Sequence, residues 1–387
     1  MTPVRGSLSR EGQELCQDAL LDSAVSAVCL EKELLSGSSP STASTVGSTE
    51  GATSQDSVIE KLKEHSQVTA PVQIRTAPDS GRFYVAARAV AAGERVLETS
   101  PEAIVVDENF VTRVCAWCFK ESTQGALRVK CETCKCAHFC SPGCQAAANE
   151  GSHAFECLAL ARLKGLRTRL DREQTTHLRL VLQILYRRQR CQIRGETDIV
   201  EELHTGREAF EQHKSWKSHE KRYKGVVAAF ANVAGCDFHW IPQDVEAVLG
   251  GIECNGFGIW DHNRSRCLGL AVSVPASFFN HACIPNVARV RHQRDNVFYA
   301  LRPIEEGEPL YISYIDPRKS TRDRVEELNS CYGFICRCPR CAGSGDLPQM
   351  CPKHLGYMIP TLVNDGENTD ATCSYWCSVC FTKPPSR

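Results

Sequence analysis

Apolar residues recur along this chain with two different periods. Short runs such as VQIRTAP and GRFYVAARAV, rich in β-branched and aromatic residues, predict strands from about Pro71 onward. A second strand-like region, broken by glycine and proline turns, extends from Gly256 to Tyr314. Between them, from about Leu158 to Phe238, the apolar positions follow helical spacing. The pattern predicts one β-rich domain interrupted by a long helical insertion.

The first seventy residues have a different character. Residues 11–35 carry an amphipathic helical pattern, but residues 36–57 are dominated by Ser, Thr, Gly and Ala. Such a segment cannot bury enough apolar surface to offset the entropy lost when it is ordered. We therefore expect residues 1–70 to form a disordered tail.

The composition excludes some classes of protein. Lys and Arg total 45 and Asp and Glu total 46, so no overall basic field attracts nucleic acid. The chain contains no run of about 18 apolar residues, so no membrane span is predicted. Charged residues interrupt the stretch from Leu15 to Leu35, which would have to form a secretory leader. We expect an intracellular protein, and in a reducing compartment zinc explains 23 clustered cysteines better than disulfides do.

Eight cysteine and histidine residues form four ordered pairs in the middle of the chain. The pairs are Cys115 with Cys118, Cys131 with Cys134, Cys140 with Cys144, and His153 with Cys157. Each pair spans one tight turn, and eight soft or borderline ligands make two closed tetrahedral zinc sites. A module this short has too little core to fold without its metal. The sites are therefore predicted to be structural.

This spacing, with the FCxxxCQ step from Phe139 to Gln145, resembles the MYND zinc finger. The resemblance implies cross-braced sites, with Cys115, Cys118, Cys140 and Cys144 on one zinc and Cys131, Cys134, His153 and Cys157 on the other. It also implies a surface for proline-rich peptides. The tryptophan that the family has between the last two pairs is absent here, which weakens the peptide prediction and leaves the metal sites unaffected. Cys136 and His138 are further candidates as competing ligands.

Two other cysteine clusters follow towards the end of the chain. Cys336, Cys338 and Cys341 cannot close a tetrahedral site alone, so a fourth ligand must come from elsewhere. The last cluster has the form of a small zinc ribbon, with Cys373 as an alternate ligand. Its ligands would be Cys351, His354, Cys377 and Cys380.

The segment NHACIPN, residues 280–286, resembles the NHSCxPN motif of SET domains, and ISYIDP at 312–317 and the CxCxxC cluster follow in the family's order. From about Pro71 to Cys341 the chain is similar to the SET and MYND lysine methyltransferases. The resemblance implies an α+β fold: a β-rich SET domain of small sheets with a knot-like C-terminal threading, split by a MYND finger and a helical insertion. It also supplies Cys283 as the missing zinc ligand of the post-SET segment.

These inferences divide the chain into seven parts. They are a tail (1–70), the first SET part (71–114), the MYND finger (115–157), the helical insertion (158–240), the SET core (241–330), the post-SET zinc segment (331–345) and a zinc ribbon with a tail (346–387).

The family also implies roles for individual side chains. Tyr314 is the expected catalytic residue, and Tyr332 and Phe257 resemble the walls of a lysine channel. An ordinary phenol, with a pKa of about 10, is a poor base at neutral pH, so Tyr314 is expected to orient the lysine while the proton leaves to water. The expected cofactor contacts are Asn280, His281, Asn255, Phe334, Tyr314, Gly81 and Arg82.

One departure from the family concerns this cofactor site. The family's GxG pair becomes Gly81-Arg82-Phe83, and glycine is used where backbone passes close to a ligand. Either the loop bends differently or cofactor affinity falls.

The resemblance predicts a methyltransferase that transfers a methyl group from S-adenosylmethionine to an exposed lysine of a histone or another protein, and that carries three structural zinc ions. The ribbon pattern predicts a fourth zinc site. A monomer in nucleus and cytoplasm is expected, with no membrane partner. One alternative is a noncatalytic adaptor or transcriptional regulator that binds peptides through MYND, which Phe83 favours. A weaker alternative is a nucleic-acid-binding zinc protein, based on the basic runs at Arg187–Arg190 and Lys214–Lys224, although such runs are usually solvated helix faces.

Overall fold

The structure, a computed structural model, describes most of the chain from Pro71 to Cys377. The described ranges are 71–78, 80–165, 170–203, 216–235, 238–261, 265–317, 319–343, 358–363 and 372–377. The predicted tail, the first two residues of the basic run (214 and 215) and the predicted ribbon ligands Cys351, His354 and Cys380 lie outside these ranges. Within these ranges, every helix is too short or too polar to span a membrane.

Fourteen short strands, β1 to β14, account for the β structure of the described residues. In chain order they are Val72–Ala77, Gly81–Ala86, Arg95–Thr99, Ala103–Val106, Val129–Lys130, His138–Phe139, Gly256–Trp260, Cys267–Val272, Asn280–His281, Val287–His292, Asp295–Ala300, Tyr311–Ile312, Met358–Val363 and Thr372–Cys377.

Seven α-helices, α1 to α7, are present in the same residues. They are Pro142–Glu150, Ser152–Gly165, Arg172–Arg194, Trp216–Val233, Pro242–Asn255, Thr321–Tyr332 and Pro339–Ala342. Two 3₁₀ turns, Ile199–Glu202 and Pro275–Phe278, complete the regular structure there.

The strands form small sheets of two or three members rather than one large sheet. The three-stranded sheets have the orders β10-β11-β3 and β4-β8-β7, and their pairs are antiparallel. Each of these sheets combines a strand from before the helices with strands from after them. The prediction of a single β-rich domain interrupted by an insertion, with an α+β fold, is therefore confirmed.

Helix α3 is the element of the insertion that packs against the sheets. It begins at a capping box in which Asp171 accepts from the backbone of Gln174 and the Gln174 side chain accepts in return, and it ends at Gly195 in the left-handed conformation. Its apolar stripe is buried in the main core. Gln183 extends this contact by exchanging two hydrogen bonds with the backbone of Ile104 in β4, at 2.8 and 3.0 Å. The insertion and the β domain thus share one core.

The cysteine-rich segment has little regular structure of its own. Strands β5 and β6 pair over two residues, and helices α1 and α2 follow. Its buried cluster has only seven members, which are Cys115, Cys131, Cys134, Ala137, Phe139, Ala148 and Leu160. So small an apolar cluster agrees with a module whose stability comes from metal.

The last two strands, β13 and β14, form an antiparallel hairpin. Cys373 and Cys377 lie on β14, and the side chains of this hairpin are not among those described. The predicted fourth zinc site stays a prediction.

Candidate active site and zinc centres

Two segments about thirty residues apart meet at the centre of the SET region. Strand β9 pairs in parallel with β12, placing Asn280 opposite Tyr311 and His281 opposite Ile312. The Asn286 side chain fastens the same junction, because its Oδ1 accepts from the Tyr311 N–H at 2.7 Å and its Nδ2 donates to the Pro309 carbonyl at 2.8 Å. The NHACIPN and ISYIDP motifs are thus adjacent in space.

Tyr314 follows this junction and is held at both ends. Its backbone N–H donates to Nδ1 of His281 at 3.1 Å, and its hydroxyl donates to the Phe279 carbonyl at 2.8 Å. The side chain is half-buried. The phenol therefore has a fixed direction and keeps an accessible surface.

Three aromatic rings gather around that of Tyr314 and form a four-ring group with it. Tyr332 stacks on it with centroids 5.2 Å apart, and Phe334 stands at a right angle to it at 6.5 Å. His281 lies 5.2 Å from the Tyr314 ring and 6.1 Å from that of Phe334. The Tyr332 hydroxyl donates to the Tyr314 carbonyl at 3.0 Å, and burial raises the pKa of Tyr332 well above its ordinary value. The Tyr332 phenol therefore stays neutral.

The ring of His281 joins this aromatic group to the neighbouring cysteines. Because Nδ1 accepts the Tyr314 N–H, the hydrogen is on Nε2, which donates to the sulfur of Cys283 at 3.3 Å. Burial lowers the pKa of His281 to about 4, so the imidazole is neutral at neutral pH. Both ring nitrogens of His281 therefore form structural hydrogen bonds, one with the Tyr314 backbone and one with the Cys283 sulfur.

Cys283 lies with the cysteines of the post-SET segment. The four ligand sulfurs lie within 4.8 Å of one another, and the Cys283 sulfur is 3.9 Å from that of Cys336 and 3.5 Å from that of Cys341. Zinc with bonds of about 2.3 Å in a tetrahedron needs sulfurs about 3.8 Å apart. The set fits zinc and joins the two motif regions. Its members are Cys283, Cys336, Cys338 and Cys341.

The eight ligands of the finger also gather as two sets. One set is Cys115, Cys118, Cys140 and Cys144, and the other is Cys131, Cys134, His153 and Cys157. In the first, the sulfurs of Cys118 and Cys140 are 3.6 Å apart. In the second, Cys134 is 3.7 Å from Nε2 of His153. Both sets take the cross-braced pairing that the resemblance implied.

The two competing candidates lie outside these sets. Cys136 donates from its sulfur to the Cys134 carbonyl, and Nδ1 of His138 lies 3.2 Å from the Cys136 carbonyl oxygen. Neither belongs to a group of potential metal ligands among the described residues.

Other expected cofactor residues lie near the turn between β1 and β2. Asn280 donates from Nδ2 to the Ser80 carbonyl at 2.9 Å, and the Arg82 guanidinium lies 5.1 Å from the Phe278 ring centre. Gly81 has φ of 60°, and Phe83 pairs with Arg75 in regular hairpin register. The turn thus lies beside the NHACIPN motif despite the missing second glycine.

Asn255 and Phe257 occupy the end of α5 and the start of β7. The Asn255 amide is buried and donates to the Gly251 carbonyl at 2.8 Å. The Arg289 guanidinium lies 5.0 Å from the Phe257 ring centre and donates to the Gly258 carbonyl at 2.7 Å. Arg289 was not predicted from the sequence, because no local pattern marks it.

Known proteins match this arrangement. The SET domain family model matches residues 81–315, which is more than half of the chain. A SET and MYND domain-containing protein of Dictyostelium discoideum is 25% identical over 319 residues, which are 71% of this chain and 82% of that protein. The N-lysine methyltransferase SMYD2-B of Danio rerio is 30% identical over 271 residues.

The Danio match covers 68% of this chain and 58% of the fish protein, so the chain spans a little over half of that relative's length. Among solved structures, Rubisco LSMT bound to AdoMet aligns over 86% of this chain and 68% of its own, with a TM-score of 0.37 and 13% identity. The family model, together with the relatives, establishes that the chain belongs to the SET domain family, within the group whose members also carry a MYND zinc finger.

Proposed function

We propose that this chain is a protein-lysine N-methyltransferase that transfers a methyl group from S-adenosylmethionine to a lysine of another protein. The observation that carries the proposal is the stack of Tyr314 on Tyr332 beside the joined SET motifs. A half-buried phenol held by backbone on two sides, next to aromatic faces, suits the alignment of an amine for in-line attack. The family membership and the names of the relatives agree with it.

S-adenosylmethionine supplies an electrophilic methyl group on a cationic sulfur. The residues present fit such a group: Tyr314 and Phe334 are half-buried aromatics with accessible surface, and aromatic faces attract cations. The neutral tautomer of His281 brings no opposing charge. We assign cofactor contacts to Asn280, His281, Phe334 and Tyr314, with Asn255, Gly81 and Arg82 at the periphery.

The chain's own task is to prepare the lysine. Aromatic walls strip water from its methylene stem, and Tyr332 and Phe257 are assigned to this channel. The Tyr314 oxygen orients the neutral amine and stabilises the positive charge that develops on the amine nitrogen in the transition state. The lysine proton leaves to water.

The test uses labelled methyl groups from S-adenosylmethionine and a whole-cell protein extract as acceptor. Wild-type protein should label discrete bands, and Tyr314→Phe should reduce the labelling by a factor of about 10² or more, the range for removing one group that stabilises the transition state electrostatically. Tyr311→Phe is the matched control, since this half-buried tyrosine lies three positions earlier and is held through its backbone. Equal labelling by wild type and Tyr314→Phe would remove Tyr314 from the mechanism.

Phe83 favours a second function, that of a peptide-binding adaptor whose SET fold is a scaffold. The two functions differ in their need for cofactor. Calorimetry with S-adenosylmethionine should show stoichiometric binding by an enzyme, while an adaptor would show none and would still bind proline-rich peptides through the finger.

A further inference from the structure

A buried arginine lies against the third zinc centre. Arg324, on helix α6, is 1% exposed and is among the largest fully buried side chains of the described residues. Its Nε donates to the Cys283 sulfur at 3.2 Å and its Nη2 lies 3.6 Å from the Cys341 sulfur. One guanidinium thus reaches two of the four ligands.

The buried Arg324 guanidinium needs a negative charge close to it. Arginine stays protonated in proteins, and a buried charge without a partner is very costly. Among the ion pairs of the described ranges, none joins Arg324 to a carboxylate. Its remaining hydrogen bonds go to the Lys319 carbonyl and the Thr321 hydroxyl, which carry no charge. Only ionised sulfurs can balance the guanidinium.

Four thiolates around one zinc ion carry a net charge of −2. We propose that Arg324 is a positioning residue of this centre, whose guanidinium offsets part of that charge and holds Cys283 and Cys341 as metal-bound thiolates. An N–H donor draws electron density from sulfur and makes it less prone to protonation or attack. The metal is then slower to leave. Partners of this outer kind are worth about 10-fold to 100-fold in metal affinity.

The same side chain couples the centre to the segment behind Tyr314. Nη1 of Arg324 donates to the Lys319 carbonyl at 2.6 Å. Nη1 of Arg340, on helix α7, donates to the Pro317 carbonyl at 2.6 Å and to the Cys283 carbonyl at 3.3 Å. Loss of the Arg324 guanidinium should therefore weaken zinc binding and also loosen the segment that contains Pro317 and Lys319. The inference depends on zinc at these cysteines and is independent of methyl transfer.

The test compares zinc-loaded full-length wild type with Arg324→Gln, Arg324→Lys and a matched control, Arg322→Gln. Arg322 lies on the same helix, with its side chain 88% exposed. Zinc release to a chromogenic chelator is followed in time, and the cysteines that become open to N-ethylmaleimide are identified by mass spectrometry. Arg324→Gln should release one zinc about 10-fold to 100-fold faster, with alkylation at Cys283, Cys336, Cys338 and Cys341. Release of the finger's zinc should not change.

The lysine variant separates charge from fold. Arg324→Lys keeps the charge and cannot bridge two sulfurs, so its release rate should fall between wild type and Arg324→Gln. In cobalt-loaded protein, the sulfur-to-cobalt charge-transfer band should move to lower energy in Arg324→Gln and stay unchanged in Arg322→Gln. Wild-type release from Arg324→Gln would overturn the proposal. So would equally fast loss of all zinc with no rescue by lysine, because a merely structural role predicts that result.

Discussion

The imidazole of His281 donates to the sulfur of Cys283 at 3.3 Å while accepting the backbone N–H of Tyr314 on its other nitrogen. One ring therefore connects a predicted zinc ligand with the predicted catalytic tyrosine. The two bonds depend on each other, because Nδ1 can accept the Tyr314 N–H only in the tautomer whose Nε2 donates to Cys283. The zinc centre and the aromatic site form one structural unit rather than two neighbouring ones.

Replacing this ring should weaken both sides. His281→Phe keeps an aromatic of similar size but leaves the Tyr314 N–H without its acceptor, and an unmet buried donor costs about 1–3 kcal/mol. We expect the free energy of unfolding to fall by about that amount, with less cofactor bound. Denaturant unfolding measures the first and calorimetry the second. His292→Phe, at an exposed position of β10, is the control, and equal behaviour of the two variants would disprove the link.

A buried ion pair joins the finger to the helical insertion. Arg179 of α3 makes two bonds of 3.0 Å to Glu156 of α2, and its Nη1 donates to the Val106 carbonyl at 2.9 Å. The Glu156 carboxylate also lies 3.6 Å from Nδ1 of the zinc ligand His153. The pair therefore supports both the packing of α2 and the orientation of a metal ligand.

Removing one partner of this pair should be costly. Arg179→Met leaves the Glu156 charge buried and should lower the free energy of unfolding by about 3–5 kcal/mol. The double variant Arg179→Met/Glu156→Leu should regain part of that loss, because no charge is stranded. Urea unfolding of Arg179→Met, Glu156→Leu and the double variant makes the comparison. A double variant that loses as much as the two single losses together would contradict a buried-charge origin.

The sequence predicted those parts of the site whose residues recur at a recognisable spacing along the chain. Four ligand pairs within about forty residues identify two metal sites, and alternating patterns identified the interrupted β domain. The choice of Cys283 came from the resemblance alone, because 53 positions separate it from Cys336 and no periodicity crosses that distance.

Two arginines show what sequence patterns could not reveal. Arg324 stands in the polar helix segment TRDRVEELNS, where a charged residue is expected to face water, and it is buried because its partner sulfur lies 41 positions earlier. Arg289 lies over Phe257 across 32 positions. Contacts of this kind depend on how sheets and helices meet, which local sequence does not encode.

Stability should depend on pH through Glu102. Burial raises the pKa of this carboxyl from 4.5 to about 7, although it accepts from the Val274 N–H at 2.7 Å. Because the folded state favours the protonated form, its stabilising effect is complete below pH 4.5 and is lost as pH rises through about 7. Unfolding free energy should therefore fall over this window.

The variant Glu102→Gln keeps an acceptor for Val274 and removes the charge. It should match wild type near pH 5 and be more stable than wild type near pH 8, as measured by thermal or urea unfolding at both values. Glu306→Gln, at an exposed turn, is the control and should follow the wild-type profile. An identical pH profile for Glu102→Gln would show that this carboxyl does not titrate as described.

Close packing around Gly269 on β8, against β4 and against Phe119 of the finger, can be tested by substitution. A methyl group at this position would overlap the Val105 carbonyl oxygen and come within 3.0 Å of Cε1 of Phe119, which belongs to the finger. Gly269→Ala should therefore force β4 and β8 apart and lower the free energy of unfolding by about 1–3 kcal/mol, the usual cost of overpacking. Gly143→Ala in α1 meets only the Ser141 hydroxyl at 3.7 Å and should be neutral or slightly stabilising. If urea unfolding shows no loss for Gly269→Ala relative to Gly143→Ala, β4 and Phe119 do not approach β8 as closely as the structure has them.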